Sequence, residues 1–315
     1  MKVLITGAGG FTATHLIRRL RAEKDFFLAG TDVLPARPQV LGLNEYVTAD
    51  LGDFEQVAAV IRSTRPDWVF NLAGMARGSA RDLYRINLLG AVNLLEAVKS
   101  EAPRASVLLI GSAAEYGIWP DSHMPLAEDH ECRPVGAYGL SKHAMTLAAL
   151  DHAQANGTKA IVARPFNLVG AGMPTNLVAG AIAQRTRQAL ARGESTITVG
   201  NANTQRDFIA VEDAVDAYVK LLQSGAWGEV FNICSAQATS IESIIQTLLS
   251  FSPRPMRVVE DVSLKRANDP AVVIGDGAKA RRICGFNPSH TLHDALRAAW
   301  DGMTEPVGAP APARP

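Results

Sequence analysis

The sequence predicts an α/β fold: a doubly wound parallel sheet, with a smaller α/β region gathered mostly toward the C-terminus. Three observations carry the prediction. Short β-branched apolar runs recur through the first half of the chain, longer amphipathic stretches of helical period separate them, and a glycine-rich turn joins the first run to the first such stretch. Strand and helix in alternation imply parallel strands, because right-handed crossovers return the chain to the same end of the sheet and lay helices on both its faces.

Taken in order, strands are expected at 2–6 (KVLIT), 26–31 (FFLAGT), 67–73 (DWVFNLA), 106–112 (SVLLIGS) and 159–166 (KAIVARPF), with one further short strand before Asp50. The stretches 11–23, 53–63, 82–100 and 137–156 are expected as helices. After residue 166 the rhythm changes. A glycine-containing loop, NLVGAGMP, leads to a helix near 175–192 and a short strand, TITVG; GEVFNI at 228–233 reads as another buried strand, and 240–250, 276–283 and 291–301 read as helices. Residues 1–166 therefore form one domain, to which 200–234 return, and 167–199 with 235–302 form a second. The Pro- and Ala-rich end, 303–315, has no periodicity and is expected to be a disordered tail. No internal repeat is found.

The chain has 315 residues, 47 % hydrophobic and 20 % charged, with Lys plus Arg and Asp plus Glu balanced at 31 each. A balanced charge gives no field to draw it to nucleic acid or an acidic membrane, so neither is expected as a partner. No stretch approaches the roughly 20 apolar residues of a spanning helix. Cys132, Cys234 and Cys284 lie far apart and unpaired in spacing, which suits reduced thiols in a cytoplasmic protein better than a zinc site or a disulfide framework. The seven histidines show no metal-ligand spacing, and no metal is expected.

The turn TGAGGFTA carries glycines where a strand-to-helix turn must let backbone approach a phosphate. Gly7, Gly10 and Ala13 follow the pattern G-x-x-G-x-x-G/A, and Phe11 and Thr12 open the helix whose N-terminal amides would face a pyrophosphate. Glycine alone is weak evidence, since many tight turns use it. Asp32 adds a carboxylate at the end of the second strand, about twenty residues on, where it would take the adenosine ribose hydroxyls. Fingerprint and acid together predict a Rossmann-like dinucleotide site. The carboxylate would repel a 2′-phosphate, so NAD(H) is favoured; Arg37, in the loop PARP, keeps NADP(H) possible. Asp50 and Leu51 are expected to bracket the adenine, and Leu72, Ala73 and Gly74 of NLAG to line the cofactor groove.

AYGLSK sets Tyr138 and Lys142 four residues apart, on one helix face. Alone, such a pair is an ordinary solvated face. Ser112, at the mouth of the fifth strand beside the groove, changes that reading. A nearby ammonium and the nicotinamide charge would lower the phenol from its usual value of about 10, so that it could exchange a proton while Ser112 held the substrate oxygen.

With TGAGGFTATHL, NLAG, INLLGAVNLLEA, GSAAEYG, YGLSK, ARPFNLVG, QRDFIAVEDA and NICSAQATSI, the chain resembles the extended short-chain dehydrogenase/reductase family over residues 1 to 301, in its nucleotide-sugar-modifying branch. The resemblance implies that Ser112, Tyr138 and Lys142 are catalytic, with Lys142 also on the nicotinamide ribose. It places Asn87 and Arg164 among the cofactor-binding residues, Asn87 in the helix that supports the site. It also implies a homodimer through the helices 82–100 and 137–156.

Dehydratases of this branch carry an Asp/Glu pair directly after the catalytic hydroxyl residue. Ala113 and Ala114 stand there instead and can neither donate nor accept a proton; Glu115 lies one place too far along. Hydride and proton transfer remain. Within the branch the motifs look most like GDP-4-keto-6-deoxy-D-mannose reductases, although Leu168 replaces a common histidine and Thr12-Ala13 an aliphatic–Gly pair. The expected substrate is a nucleotide diphosphate sugar. Arg206 matches the branch's pyrophosphate arginine, Arg266 one near the far end of the nucleotide, and Asn167 a diphosphate or sugar contact; Arg77 and Arg187 are unranked candidates. The expected reaction is reduction of a C4 ketone by NAD(P)H. A nucleotide-sugar 4-epimerase that keeps NAD bound, and a non-catalytic NAD-binding protein, are the alternatives.

Overall fold

The computed structural model describes residues 1–23, 25–35, 42–261 and 270–303. Arg37, Arg266 and the expected tail beyond Met303 lie outside them. The chain runs β1 (Lys2–Thr6), α1 (Phe11–Arg21), β2 (Phe27–Asp32), β3 (Glu45–Thr48), α2 (Phe54–Thr64), β4 (Trp68–Asn71) and α3 (Ala80–Leu83). A π-helical turn, Tyr84–Leu89, then leads to α4 (Gly90–Glu101), β5 (Ser106–Ile110), α5 (Gly136–Asn156), β6 (Lys159–Pro165), β7 (Asn167–Val169) and α6 (Val178–Ala191). The remainder is β8 (Thr196–Val199), β9 (Gln205–Arg206), β10 (Phe208–Ala210), α7 (Val211–Ser224), β11 (Glu229–Ile233), β12 (Thr239–Ser240), α8 (Ile241–Ser250), β13 (Arg257–Glu260), β14 (Val272–Val273), α9 (Ala278–Cys284) and α10 (Leu292–Asp301).

Seven strands form one parallel sheet in the order β11-β6-β5-β4-β1-β2-β3. Alternate residues of each strand feed opposite faces, as the strand period of two requires. Val3, Ile5, Leu28 and Phe70 pack beneath α1 and α7, whereas Leu4, Ala29, Val69 and Leu109 pack beneath α2, α4 and α5. Each of these buried side chains larger than the Ala29 methyl is worth roughly 1.5–3 kcal/mol in removed apolar surface. A third core, from α6, α8 and α10 with β8 and β10, sits beyond the C-terminal edge of the sheet. The chain enters it after β7 and returns through α7 and β11, which closes the sheet beside β6.

The switch in winding direction falls between β1 and β4, and their C-terminal ends open the crevice where such sheets bind ligands. Among the expected elements that differ in extent, three have a plain local cause. The helix expected over 82–100 is broken by the π turn, which rotates Asn87 inward. The helix expected from 175 begins at Val178, because a turn closed by Leu177 N–H to the Pro174 carbonyl precedes it. The strand expected to Ser112 stops at Ile110, because Ser112 caps the short 3₁₀ turn Ala113–Glu115 instead. Among the described residues no helix is long and apolar enough to cross a membrane.

Candidate active site

The crevice is built from glycine geometry. Gly7 has φ +63°, and a Cβ there would stand 2.7 Å from the Ala73 backbone, so only glycine lets the turn close over the end of β4. Thr6 Oγ1 donates to Asn71 Oδ1 (2.6 Å) and accepts the Ala73 N–H (3.3 Å), locking β1 and β4 below it. Gly10 precedes α1 and offers no side-chain cap, and the first turn holds no acidic residue, which leaves the positive end of the helix, at Phe11 and Thr12, to a ligand. Asp32 reaches across from β2: its Oδ2 accepts the Gly9 N–H at 3.1 Å and its Oδ1 the Leu34 N–H at 3.2 Å. Each carboxylate oxygen keeps a lone pair for a ribose hydroxyl. Dipole, glycine cradle and acid fit a dinucleotide.

Asp50 and Leu51 follow β3, but Asp50 is engaged. Its Oδ2 accepts from Arg85 at 2.8 Å, and that guanidinium holds the carboxyl below its usual range. Leu72, Ala73 and Gly74 form the loop above β4. A Cβ on Gly74 would lie 3.1 Å from Lys142 Nζ and 3.3 Å from Asn87 Oδ1, so this loop is the roof over the lysine. Buried Asn87 fixes the roof: Oδ1 accepts the Met75 N–H and Nδ2 donates to the Met75 carbonyl (both 2.8 Å) and to Ser141 Oγ (2.9 Å). Its amide is taken up in joining the loop to α5.

Ser112, Tyr138 and Lys142 converge at the end of β5. Lys142 Nζ, 5 % exposed, donates to the Ile110 carbonyl at 2.8 Å, and burial pulls the ammonium down to about 8. The Ser112 hydroxyl lies close enough to the Tyr138 phenol to influence its ionisation and accepts the Ala114 N–H at 3.1 Å. The expected lowering rests in part on the nicotinamide charge, and the protein by itself raises the phenol. Burial holds Tyr138 above 10, and Ser112 only partly offsets it. A neutral phenol is a proton donor, and that is the state this site favours.

Arg164 serves a different purpose from the cofactor contact expected of it. It is 4 % exposed, its Nε donates to Glu115 Oε2 at 2.9 Å, and it lies 4.9 Å from the centre of the Tyr116 ring. Glu115 is fully buried, and its Oε1 accepts the Ser112 N–H at 2.8 Å.

A separate cavity of about 320 Å³ holds Asn167 and Arg206 together with Arg77, Arg185, Asn176 and Asn201. Asn167 Nδ2 donates to the Asp207 carbonyl at 2.7 Å, and Arg206 to the Gln205 carbonyl at 2.7 Å. Three arginines on one cavity suit a diphosphate despite the zero net charge. Arg77 is thereby brought to Arg206, while Arg187 points away, donating to the Trp300 carbonyl at 3.1 Å.

Residues 3–234 match the family model described as the NAD dependent epimerase/dehydratase family. The chain belongs to this family. Of the curated proteins of the epimerase/dehydratase family that it resembles, GDP-6-deoxy-D-mannose reductase of Pseudomonas aeruginosa is 32 % identical over 304 residues, 94 % of this chain and 95 % of that one. GDP-6-deoxy-D-talose 4-dehydrogenase of Aggregatibacter actinomycetemcomitans is 29 % identical, over 96 % and 97 % of the two chains. The solved structure of RMD from Pseudomonas aeruginosa complexed with NADPH superposes with a TM-score of 0.83 at 29 % identity, covering 96 % of this chain and 98 % of that one.

Sequence reasoning missed Arg185 and the inward use of Glu115 and Arg164. Arg185 sits on α6 at a position that reads as solvated helix, and only the fold turns it into the arginine-lined cavity. Glu115 and Arg164 are 49 residues apart, and no local pattern links them.

Proposed function

We propose that this member of the epimerase/dehydratase family is a nucleotide-sugar oxidoreductase that reduces the C4 ketone of a nucleoside-diphosphate 4-keto-6-deoxyhexose, GDP-4-keto-6-deoxy-mannose being favoured. The observation that carries the reading is the trio Ser112, Tyr138 and Lys142 beside the dinucleotide crevice, with Ala113 and Ala114 next to it and Glu115 tied to Arg164. That arrangement has a proton donor for a ketone and no free carboxyl to draw a proton from a sugar carbon.

The nicotinamide cofactor supplies the hydride. Gly7, Gly10 and the first turn of α1 hold its diphosphate, and Asp32 its adenosine ribose, with NAD(H) favoured over NADP(H). Ser112 donates a hydrogen bond to the C4 oxygen and aligns it with the phenol. As charge develops on that oxygen, Tyr138 transfers its proton to it, and Lys142 limits the cost of the phenolate that remains. Residues 1–166 with 200–234 serve the cofactor; 167–199 with 235–302 close on the nucleotide sugar, with Arg206, Arg77 and Arg185 on its diphosphate, Asn167 at the diphosphate or sugar and Arg266 toward its far end. The enzyme works as a cytoplasmic homodimer. Leu89, Leu140 and Leu147 stand 45, 44 and 54 % exposed along the π turn and α5, an apolar face that a second copy would cover.

The reading is tested by incubating the protein with GDP-4-keto-6-deoxy-mannose and NADH. One NADH should be consumed for each 4-hydroxy product formed. Interconversion of 4-epimers with no net NADH loss would move the assignment to the epimerase. A 4-keto-6-deoxy product from GDP-mannose would contradict the role given to Ala113 and Ala114.

A further inference from the structure

Glu115 is a buried carboxylate beside the reacting trio that the chemistry above leaves without a task. The backbone is shaped around it: a Cβ on Gly111 would stand 2.3 Å from its Oε1. That oxygen accepts the Ser112 N–H and so sets the extended backbone (φ −164°, ψ 146°) from which the hydroxyl projects. The other oxygen is held from β6 by Arg164, at 2.9 Å. His143 of α5 stands 3.8 Å from the same oxygen, and Cys132, from the loop before α5, completes the surroundings. Lys142 reaches the same stretch of backbone from α5, its Nζ donating to the carbonyl of Ile110, the residue before Gly111, and Tyr138 lies one turn before it on that helix. The negative charge of Glu115 favours the lysine as an ammonium and opposes ionisation of the phenol.

We propose that Glu115, locked by Arg164, is a positioning residue that aims the Ser112 hydroxyl and supplies the counter-charge for the Lys142 ammonium. The proposal rests on the reading of Ser112, Tyr138 and Lys142 as the reacting trio. One carboxylate thus serves two members of the trio from behind, without touching substrate. It also explains why a carboxyl one residue beyond the alanines does not restore elimination: both its oxygens are engaged inside the protein.

The test compares Glu115→Gln, which keeps an oxygen for the Ser112 N–H and loses the charge, with Glu115→Asp, which keeps the charge but is one methylene shorter. Because Glu115→Gln leaves Arg164 buried and unpaired, the double variant Glu115→Gln/Arg164→Met is measured beside it. Steady-state kcat and KM across neutral to alkaline pH are read together with the Lys142 titration, followed by NMR of lysine-labelled protein without substrate or cofactor. In the two Gln variants kcat should fall about 10- to 100-fold at unchanged KM, the size of effect expected of a misaligned reacting group. The alkaline limb of kcat and the Lys142 midpoint should both move down by about one pH unit. Glu115→Asp should restore both midpoints but not kcat. Midpoints and kcat at parental values in any folded Gln variant would overturn the proposal. So would a loss of thermal stability with kcat and Lys142 unmoved. If neither Gln variant folds, Glu115→Asp with parental kcat overturns it, and reduced kcat with parental midpoints supports it. An inactive parent would count against the trio, not against Glu115, since the Lys142 midpoint is read without turnover.

Discussion

Lys142 shows what the site costs the fold. Its ammonium is buried and drawn from 10.5 to about 8. Between those values the unfolded chain holds the proton and the folded chain does not, so stability rises with pH through that window, and below about 8 the full cost of the buried charge is present. Lys142→Met should therefore raise the melting temperature at pH 7, by the equivalent of at most about 3 kcal/mol, with the gain shrinking as pH rises from about 8 and gone above 10.5, while turnover is lost. A lower melting temperature at pH 7 would mean that the bond to the Ile110 carbonyl outweighs desolvation. Asp32 yields a second expectation. NADH should bind more tightly than NADPH in calorimetry, and Asp32→Ala should narrow the gap; tighter NADPH binding by the parent would deny the carboxylate its role. Much at this scale was legible in the sequence, because Gly7, Asp32, Ser112, Tyr138 and Lys142 lie at strand ends or on one helical turn. The direction of the Tyr138 shift was not legible. It depends on burial by elements far away in the chain, as does the engagement of Arg164 by Glu115.

The alternation of β-branched runs and amphipathic stretches was enough to place the large-sheet strands named in advance and most helices, because period two and period 3.6 are local signals. The π turn was hidden for the opposite reason. INLLGAVNLLEAV keeps a helical period through it, and only the bonds of Asn87 to Met75 and Ser141 show why one extra residue per turn is retained. This joint makes a prediction of its own. Gly74→Ala places a methyl 3.1 Å from Lys142 Nζ and 3.3 Å from Asn87 Oδ1, contacts close enough that the lysine or the roof must shift. Turnover should fall about 10-fold or more, as for any displaced reacting group, with little change in global stability because the loop lies at the surface. Parental turnover in Gly74→Ala would separate the roof from the site.

Over the whole molecule, a neutral chain assembles two charged sites by topology alone: an acid-edged crevice at the β1–β4 switch point and an arginine-lined cavity under the third core. The parallel sheet could be anticipated from the alternation, and β8 from TITVG, whereas the pairings of the small sheets of β7 to β10 and β12 to β14 could not, since strands of two to four residues carry too little pattern. The exposed leucines on α5 predict association. Light scattering at micromolar concentration should report a dimer, and Leu147→Glu should yield a monomer; a monomeric parent would contradict the proposal that a second copy covers this face. The claim on which everything else turns is that Tyr138 gives the proton while the crevice separately holds the cofactor. Its most direct test is Tyr138→Phe, measured for NADH dissociation and for single-turnover reduction of the 4-keto sugar nucleotide. The account predicts an unchanged NADH dissociation constant with a rate lower by roughly 10²–10⁴-fold, as for loss of a general acid. A Phe variant that reduces the ketone at close to the parental rate would contradict it.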